Sequence, residues 1–336
     1  MSRKRINNIL FLIGIVAVAI MLFTFDVSPS ELWGYICKAG YWLLPIVALW
    51  GVLYMMNAWA WHIIIRGSGP CPVGYAYVLR LTLTGFALNY TTPVGLLGGE
   101  PYKIMEMTPH IGVRRATSSV LLFSMMHVFA HFCFWATSVV VYVVMASLRL
   151  VPINAATGII LTLTSVFCGA GIYMFIRGYR HGMVRGAIRL LGRLPGLGGW
   201  ARRFGAAHQE DLAQIDNQIA QLHSQDSRTF YTSLIIEYLG RACQSFEILF
   251  MLLPFGAGGS LLMLFAYSYL ILSFTSLFAN LLGFLPLQLG GREGGFALSV
   301  SQLGLTGAAG LCISILCRVR ELFWAVIGLA LMKLRR

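Results

Sequence analysis

The sequence has very little charge for its length. Only 11% of its 336 residues are Asp, Glu, Lys or Arg, whereas about 25% is usual in a soluble domain. So few charged side chains cannot cover a water-facing surface, and 58% of the residues are hydrophobic. The composition therefore excludes a soluble enzyme, a nucleic-acid-binding domain and a secreted disulfide scaffold, and it predicts a polytopic membrane protein.

Common signatures of metal binding and catalysis are missing as well. The seven cysteines contain no Cys-x-x-Cys pair, and the chain has no P-loop, nucleophile elbow or dinucleotide fingerprint. His127 and His131 lie four residues apart on an apolar run. Because no nearby acid completes a metal site, packing or hydrogen bonding inside a bundle is the expected role of both. We expect no metal, no cofactor, no ATP-driven pumping by this chain and no nucleic acid as a partner.

Long apolar runs predict an all-α membrane protein with about six full spans. Each run is near or above the roughly 20 residues that a crossing helix needs. Two further apolar regions, about 75–107 and 261–306, are broken by Gly and Pro, and we expect them to form re-entrant helical hairpins. The six runs cover about 9–25, 41–65, 117–147, 157–177, 229–253 and 308–332.

The formal net charge of +13 indicates the orientation of the chain in the membrane, because cytoplasmic loops of membrane proteins are enriched in Lys and Arg. Placing the basic clusters on one side of the membrane requires both hairpins to be re-entrant and puts both termini in the cytoplasm. The predicted organisation has three parts. They are a first transmembrane half over 1–178, a cytoplasmic linker over 179–228 with a surface helix at about 201–224, and a second transmembrane half over 229–336.

The two broken regions repeat one order of residues, namely Asn, Pro, Gly-Gly and then an acid. A full span precedes and follows each region, and the charge argument gives the two units opposite orientations. This is the inverted repeat of many secondary transporters, in which broken helices border a polar cavity. The alternative is that Gly-Gly only allows two short helices to pack tightly. The repeated residues are Asn89, Pro93, Gly98, Gly99 and Glu100, and then Asn280, Pro286, Gly290, Gly291, Arg292 and Glu293.

Several charges lie away from the ends of the predicted spans. Burying one in a bilayer costs at least about 2.5–3.5 kcal/mol, and so such residues indicate a functional cavity. A cavity with both signs of charge would bind a phosphate or zwitterionic headgroup, and Arg suits phosphate through its planar donor fork. The alternative is that pairs such as Glu237 with Arg241 only stabilise packing. The deep charges are Arg241, Arg292, Arg318 and Arg320, with Glu100, Glu237, Glu247, Glu293 and Glu321.

The paired motifs, together with Leu316-Cys-Arg318 in the last span, resemble those of the lysylphosphatidylglycerol synthase transmembrane (flippase-like) family. The motifs are Pro93-Val-Gly-Leu-Leu-Gly-Gly-Glu100 and Pro286-Leu-Gln-Leu-Gly-Gly-Arg-Glu-Gly294. The resemblance covers nearly the whole chain and implies a multi-pass protein of the bacterial inner membrane that binds and translocates lipids. Some members of the family carry a cytoplasmic aminoacyltransferase. Because this chain ends at Arg336, we expect it to lack that domain and not to synthesise the lipid.

The leading hypothesis is a lipid flippase or transporter rather than an enzyme, moving a phospholipid or a polyprenyl-phosphate-linked lipid. A glycosyltransferase or a lipid-modifying enzyme is a further expected partner. Two alternatives stay open, namely an intramembrane enzyme that acts on a lipid phosphate, and a scaffold that holds a glycosyltransferase through 179–228. The expected headgroup site is Glu100, Arg241, Arg292, Glu293 and Arg318. The supporting residues are Asn89, Pro93, Gly98, Gly99, Lys103, Glu237, Asn280, Pro286, Gly290, Gly291, Arg320 and Glu321.

Overall fold

The computed structural model describes most of the chain from residue 39 onward. Its described residues form helices and contain no β-strand, which confirms the predicted all-α fold. The predicted first span at 9–25 and the motif residues Pro93, Pro286 and Gly290 lie outside the described residues. The described residues are 33, 34, 36, 37, 39–91, 98–181, 183–193, 198–225, 227–255, 259–281, 291–302 and 307–333.

The first half consists of two long helices on either side of a short hairpin, followed by a further long helix. A 3-10 turn at Gly40–Trp42 leads into the first of them. In chain order the helices are α1 (Leu43–Gly67), α2 (Tyr75–Thr91), α3 (Gly99–Ile111), α4 (Val113–Ser147) and α5 (Ala155–His181).

The linker and the second half continue the helical chain. The predicted surface helix at 201–224 is in fact two helices that meet at His208. In chain order the helices are α6 (Met183–Leu191), α7 (Gly198–Ala207), α8 (Gln209–Gln225), α9 (Ser227–Cys243), α10 (Ser245–Leu252), α11 (Leu261–Leu281), α12 (Gly291–Gln302) and α13 (Gly307–Lys333). A 3-10 turn at Leu253–Phe255 follows α10.

Four helices among the described residues are long and apolar enough to cross a membrane. Three of them coincide with predicted spans, at Gly40–Gly67, Val113–Ser147 and Ala155–Gly178. The fourth, Leu261–Leu281, is the first arm of the region predicted as the second re-entrant hairpin. The total number of full spans stays a prediction.

The two hairpins differ in the lengths of their arms. In the first, α2 has 17 residues and α3 has 13, and both are shorter than the roughly 20 that a crossing helix needs. In the second, α11 has 21 residues and α12 has 12. The first hairpin ends at Gly112, whose φ of +79° is a conformation that glycine adopts without a steric penalty. At Gly112 the chain leaves α3 and enters α4.

The run at 229–253, predicted as one span, is divided at Gln244 between α9 and α10. The regular hydrogen bonding is interrupted there: the amide of Gln244 donates to the Gly240 carbonyl four residues before it, at 3.0 Å, whereas the Glu247 amide donates to the Gln244 carbonyl three residues before it, at 2.9 Å. Helix α9 packs on α1 and α4, whereas α10 packs mainly on α11.

Two clusters of buried apolar residues hold the bundle together. One joins α1, α2, α3 and the first part of α4 to the end of α13, and it includes Trp61, Met107 and Leu329. The other joins α10, α11, α12 and α13 to the later part of α4, and it includes Phe134 and Phe296. The 35-residue helix α4 therefore contributes to both clusters.

Close backbone contacts fix the hairpins against their neighbours. A Cβ at Gly99 would overlap the Gly85 carbonyl oxygen, so that α3 meets α2 with no side chain between them. A Cβ at Gly328 would likewise overlap the Leu83 carbonyl oxygen, where α13 crosses α2. Thr84 Oγ1 donates to the Gly328 carbonyl at the same crossing, at 3.3 Å. Small residues at helix crossings are typical of membrane bundles.

We predict that Gly328→Ala destabilises the protein. The added methyl group would force α13 away from α2, and such overpacking costs about 1–3 kcal/mol. The expected result is a lower melting temperature of the protein in detergent. Gly169→Ala in α5 is the matched control, because a Cβ there meets no heavy atom within 4 Å. Equal melting temperatures for the two variants would show that the α2–α13 crossing is not tight.

Candidate functional site

A cavity of about 310 Å³ lies among helices of both halves of the chain. Its wall comes from α1, α2, α3, α4 and α9 and from Gln244, between α9 and α10. We call it the first cavity. It is lined by Trp50, Leu53, Tyr54, Asn57, Thr82, Phe86, Asn89, Glu100, Lys103, Phe123, Ser124, His127, Val128, Glu237, Gly240, Arg241 and Gln244.

The first motif contributes a hydrogen-bonded group to this cavity. Asn89 at the end of α2 donates through Nδ2 to Glu100 Oε2, at 2.9 Å. The same side chain accepts from the Gly99 amide through Oδ1, at 2.7 Å. Asn89 therefore binds both an N-terminal amide of α3 and its first acidic residue, which fixes the carboxylate of Glu100 at the start of the helix.

Lys103, three residues after the motif, extends this hydrogen-bonded group. Its Nζ lies 3.4 Å from Glu100 Oε1, and the side chain is only 6% exposed. The ammonium group also lies 5.7 Å from the centre of the Trp61 ring and 5.3 Å from that of Phe123, within the range of cation–π attraction. A Cβ at Gly85 would lie 2.5 Å from Lys103 Cε. The lysine thus reaches the cavity because position 85 is glycine.

On the opposite wall, α4 and α9 are joined by a chain of charged and polar groups. His127 Nδ1 lies 2.7 Å from Glu237 Oε2, and Arg241 Nη2 lies 3.2 Å from His127 Nε2. Arg241 Nη1 donates to Gln244 Oε1, at 2.6 Å. The two partners of His127 assign its tautomer, because the carboxylate can only accept and the guanidinium can only donate. These contacts fit an imidazole that donates through Nδ1 and accepts at Nε2.

Four buried polar atoms on residues that line the cavity make no hydrogen bond among the described residues. Buried polar groups in proteins are normally hydrogen-bonded, and the residues that carry these atoms all line the cavity. The arrangement can therefore accept a polar group. The four atoms are Trp50 Nε1, Tyr54 OH, Ser124 Oγ and Glu237 Oε1.

A second cavity, of about 180 Å³, adjoins the first. It is lined mostly by the second half of the chain. The two cavities share Trp50, Arg241 and Gln244, so these three side chains separate them. The second cavity is lined by Trp50, His131, Arg241, Gln244, Glu247, Leu272, Thr275, Ser276, Ala279, Asn280, Phe296, Cys317 and Glu321.

A buried ion-pair cluster connects α10 and α13 beside the second cavity. Arg320 Nη2 and Nε both lie 2.8 Å from Glu247 Oε1, with both side chains 1% exposed. Arg320 Nη1 lies 3.5 Å from Glu321 Oε1, and the guanidinium carbon lies 3.6 Å from the centre of the Trp50 ring. Its carboxylate neighbours and the indole ring enclose this arginine, which gives it a structural position rather than a ligand-facing one.

The structure brings together many of the predicted residues but not all of them. Asn89, Gly99, Glu100 and Lys103 meet at one wall of the first cavity, and Glu237 and Arg241 line the other. Asn280 and Glu321 line the second cavity, while Gly98 directly precedes α3.

The predicted headgroup role of Arg318 stays a prediction. The residue is buried in α13, yet it lines neither of these two cavities. The predicted residues Gly291, Arg292 and Glu293 begin α12, and their side chains lie outside the described part of the structure.

Several residues of the site were not predicted. His127 was expected to pack or hydrogen-bond inside the bundle, and it does so as the bridge between Glu237 and Arg241, but it was not named as a residue of the site. Its position four residues from His131 on an apolar run was the available signal. Tyr54 and Gln244 look like ordinary residues of apolar helices, and only the assembled bundle shows that they line a cavity. In the described part of the chain, no group of three or more His, Cys, Asp or Glu could hold a metal ion.

A comparison with known protein families identifies the family of the chain. The family described as the lysylphosphatidylglycerol synthase transmembrane region matches residues 10–329. No curated protein and no solved structure matches the chain. Because the match spans nearly the whole sequence, it covers both cavities and both hairpins, and with the apolar helices it makes the chain a multi-pass membrane protein with a lipid-associated role. The chain belongs to the lysylphosphatidylglycerol synthase transmembrane-region family.

Proposed function

We propose that this protein is a lipid transporter of the bacterial inner membrane, with both termini in the cytoplasm. It would hold the headgroup of a phospholipid or of a polyprenyl-phosphate-linked lipid in the first cavity. The observation that carries the proposal is a cavity inside an apolar bundle whose walls hold Lys103 and Arg241 as well as Glu100 and Glu237. Ionisable residues within membrane segments mark substrate pathways more often than they serve packing.

The two cations suit the phosphate of a headgroup. A guanidinium has five N–H donors in a planar fork, and Arg241 uses one toward Gln244 and one toward His127. These bonds hold the fork in position while the other donors stay available to a ligand. Lys103 stands across the cavity, where Glu100 and two aromatic rings hold its ammonium group.

The two acids suit the polar remainder of a headgroup. Glu237 Oε1 has no hydrogen-bond partner among the described residues, although Oε2 is bound to His127. A headgroup hydroxyl or amine would satisfy Oε1, and Tyr54 and Ser124 offer hydroxyls on the same cavity. Because the cavity pairs two cations with two acids, we propose a ligand with a phosphate and a hydroxyl or amine.

The two adjoining cavities suggest a route. We propose that the two halves form an inverted repeat and that the headgroup passes between the cavities as one half rocks against the other. Arg241, Gln244 and Trp50 separate the cavities, and Gln244 is the residue between the end of α9 and the start of α10. The hydrocarbon chains of the lipid would stay in the bilayer throughout.

We predict that Arg241→Gln strongly reduces transbilayer movement of labelled phospholipid in liposomes. Losing charge-assisted hydrogen bonds worth about 1.5–3 kcal/mol corresponds to a fall of roughly 10–100-fold. Arg241→Lys should give an intermediate rate, because it keeps the charge and loses the fork. The matched control is Arg114→Gln, which removes an exposed guanidinium whose pairing with Asp211 lies at the surface. Equal rates for Arg241→Gln and the control would exclude the proposed route.

We also predict that the lipid that co-purifies with the protein contains phosphate. Mass spectrometry of the detergent-extracted protein measures its identity and its amount per chain. Lys103→Met keeps the length of the side chain and removes its charge, so less of this lipid should remain bound. Lys333→Met, at an exposed position near the end of α13, should retain it. A co-purified lipid without phosphate would contradict the assignment of the two cations.

Purified protein should release no phosphate from a polyprenyl pyrophosphate. Ser124 lines the first cavity, but its hydroxyl has no hydrogen-bond partner among the described residues, and a serine nucleophile needs an adjacent base. A phosphate-release assay with the wild type and with Ser124→Ala tests this. Release that is lost in the variant would favour the intramembrane enzyme over the transporter.

A further inference from the structure

A third pocket, of about 420 Å³, lies in the linker and away from both cavities described above. Helices α6, α7 and α8 form its wall, and three arginines contribute to it. None of its lining residues lines the first or second cavity. The pocket is lined by Arg185, Ile188, Arg189, Arg202, Gly205, Gln209 and Leu212.

A buried acid on α8 holds one of the arginines. Arg185 Nε lies 3.0 Å from Asp216 Oδ2, and the Arg185 amide donates to the same oxygen, at 3.1 Å. The Asp216 side chain is 2% exposed and the Arg185 side chain is 43% exposed. One edge of the guanidinium is therefore anchored while the side chain as a whole still reaches the surface.

The other two arginines have no carboxylate partner among the described residues. Arg202 Nη1 donates to the Gly192 carbonyl, at 3.1 Å. Arg189 Nε donates to the Arg185 carbonyl, at 3.4 Å. These backbone contacts position the side chains without neutralising them. Of the three guanidinium charges at the pocket, the described residues thus pair only the one on Arg185 with an acid.

Glycine contacts bring the arginines of different helices together. A Cβ at Gly198 would lie 2.6 Å from the Gly192 carbonyl oxygen, and one at Gly205 would lie 3.1 Å from Ile188 Cγ2. Helices α6 and α7 therefore approach closely at two points. This close approach brings Arg189 of α6 and Arg202 of α7 to the wall of one pocket. On separate surfaces exposed to water, the repulsion between their charges would be screened.

The pocket lies next to the end of a helix that is long enough to cross a membrane. That helix, α5, ends at His181 and α6 begins at Met183. Leu190 is 55% exposed and Leu191 is 36% exposed on α6. A short helix with exposed leucines and arginines, attached directly to a membrane-spanning helix, is suited to lie in the interface between headgroups and acyl chains.

We propose that the Arg185–Arg189–Arg202 pocket binds a phosphate ester, a site separate from the transport cavity and independent of the proposed function. Three arginines from two helices offer planar forks that match phosphate oxygens, and Gln209 adds an amide at the rim. The apolar side chains of Ile188 and Leu212 suit the glycerol carbons beside the phosphate. Either a phospholipid headgroup in the adjacent leaflet or a soluble phosphate ester can supply this chemistry.

Hydrogen–deuterium exchange of the full chain in lipid nanodiscs tests the pocket locally. Exchange would be followed for peptides from 183–191 and 198–207 in three settings. The first uses phosphatidylcholine alone, the second adds phosphatidylglycerol, and the third adds glycerol 3-phosphate to the first. We expect slower exchange in the second or the third setting. Slowing by phosphatidylglycerol alone assigns the ligand to the lipid, and slowing by glycerol 3-phosphate assigns it to a soluble ester.

The variant Arg189→Gln/Arg202→Gln should bind about tenfold more weakly or worse, as expected for the loss of charge-assisted hydrogen bonds. The control Arg66→Gln/Arg149→Gln removes the same charge at exposed positions outside the pocket and should behave as the wild type. Gln209→Glu offers a second test that keeps all three arginines. It adds a carboxylate to the pocket at the first residue of α8, where an acid is favourable for the helix, and it should also weaken binding.

The proposal is overturned if neither phosphate compound slows exchange, or if the pocket variants and the control respond alike. Its outcome is separable from that of the transport proposal. Arg241→Gln should lose lipid movement and keep the slower exchange of α6 and α7 that the phosphate compound causes. The pocket variants should lose that slower exchange.

Discussion

A charge inside a membrane bundle is stable only where another charge or a hydrogen bond compensates it, and this constraint organises the centre of the protein. Glu237, His127, Arg241 and Gln244 form one continuous chain between α4 and α9. Asn89, Glu100 and Lys103 form another between α2 and α3. Each group holds its charges in fixed positions. The space between the two groups is the first cavity. The two groups supply the charged atoms of its wall, which apolar helices alone would lack.

The packing that supports these groups depends on the absence of side chains at a few positions. Gly85 lets Lys103 pass over α2, and Gly99 lets α3 approach the same helix. Gly328 likewise lets α13 approach α2. Two helices, α3 and α13, thus converge on α2, the first arm of the short hairpin. The polar residues of the hairpin can be positioned accurately because the backbone around them has little freedom to shift.

The all-α membrane fold could be predicted from the sequence, because apolar runs are local patterns. The pairing of Asn89 with Glu100 was within reach for the same reason, since both belong to one motif. The link from His127 to Glu237 joins residues 110 positions apart, and no spacing rule indicates such a contact. From the sequence, Arg318 was assigned to the headgroup site and Arg320 to a supporting position. Only the packed bundle shows that Arg320 is enclosed by Glu247 and Trp50 and that neither arginine lines the two central cavities.

The length of α4 has a mechanical consequence. Its 35 residues correspond to about 52 Å at 1.5 Å per residue, well beyond the roughly 30 Å of a hydrocarbon core. His127 lies on the cavity about 21 Å along the axis from the start of the helix at Val113. Near that start, Arg114 contacts Asp211 of α8, at 3.2 Å. A tilt of α4 by about 10° about the level of His127 would therefore move its start by about 4 Å.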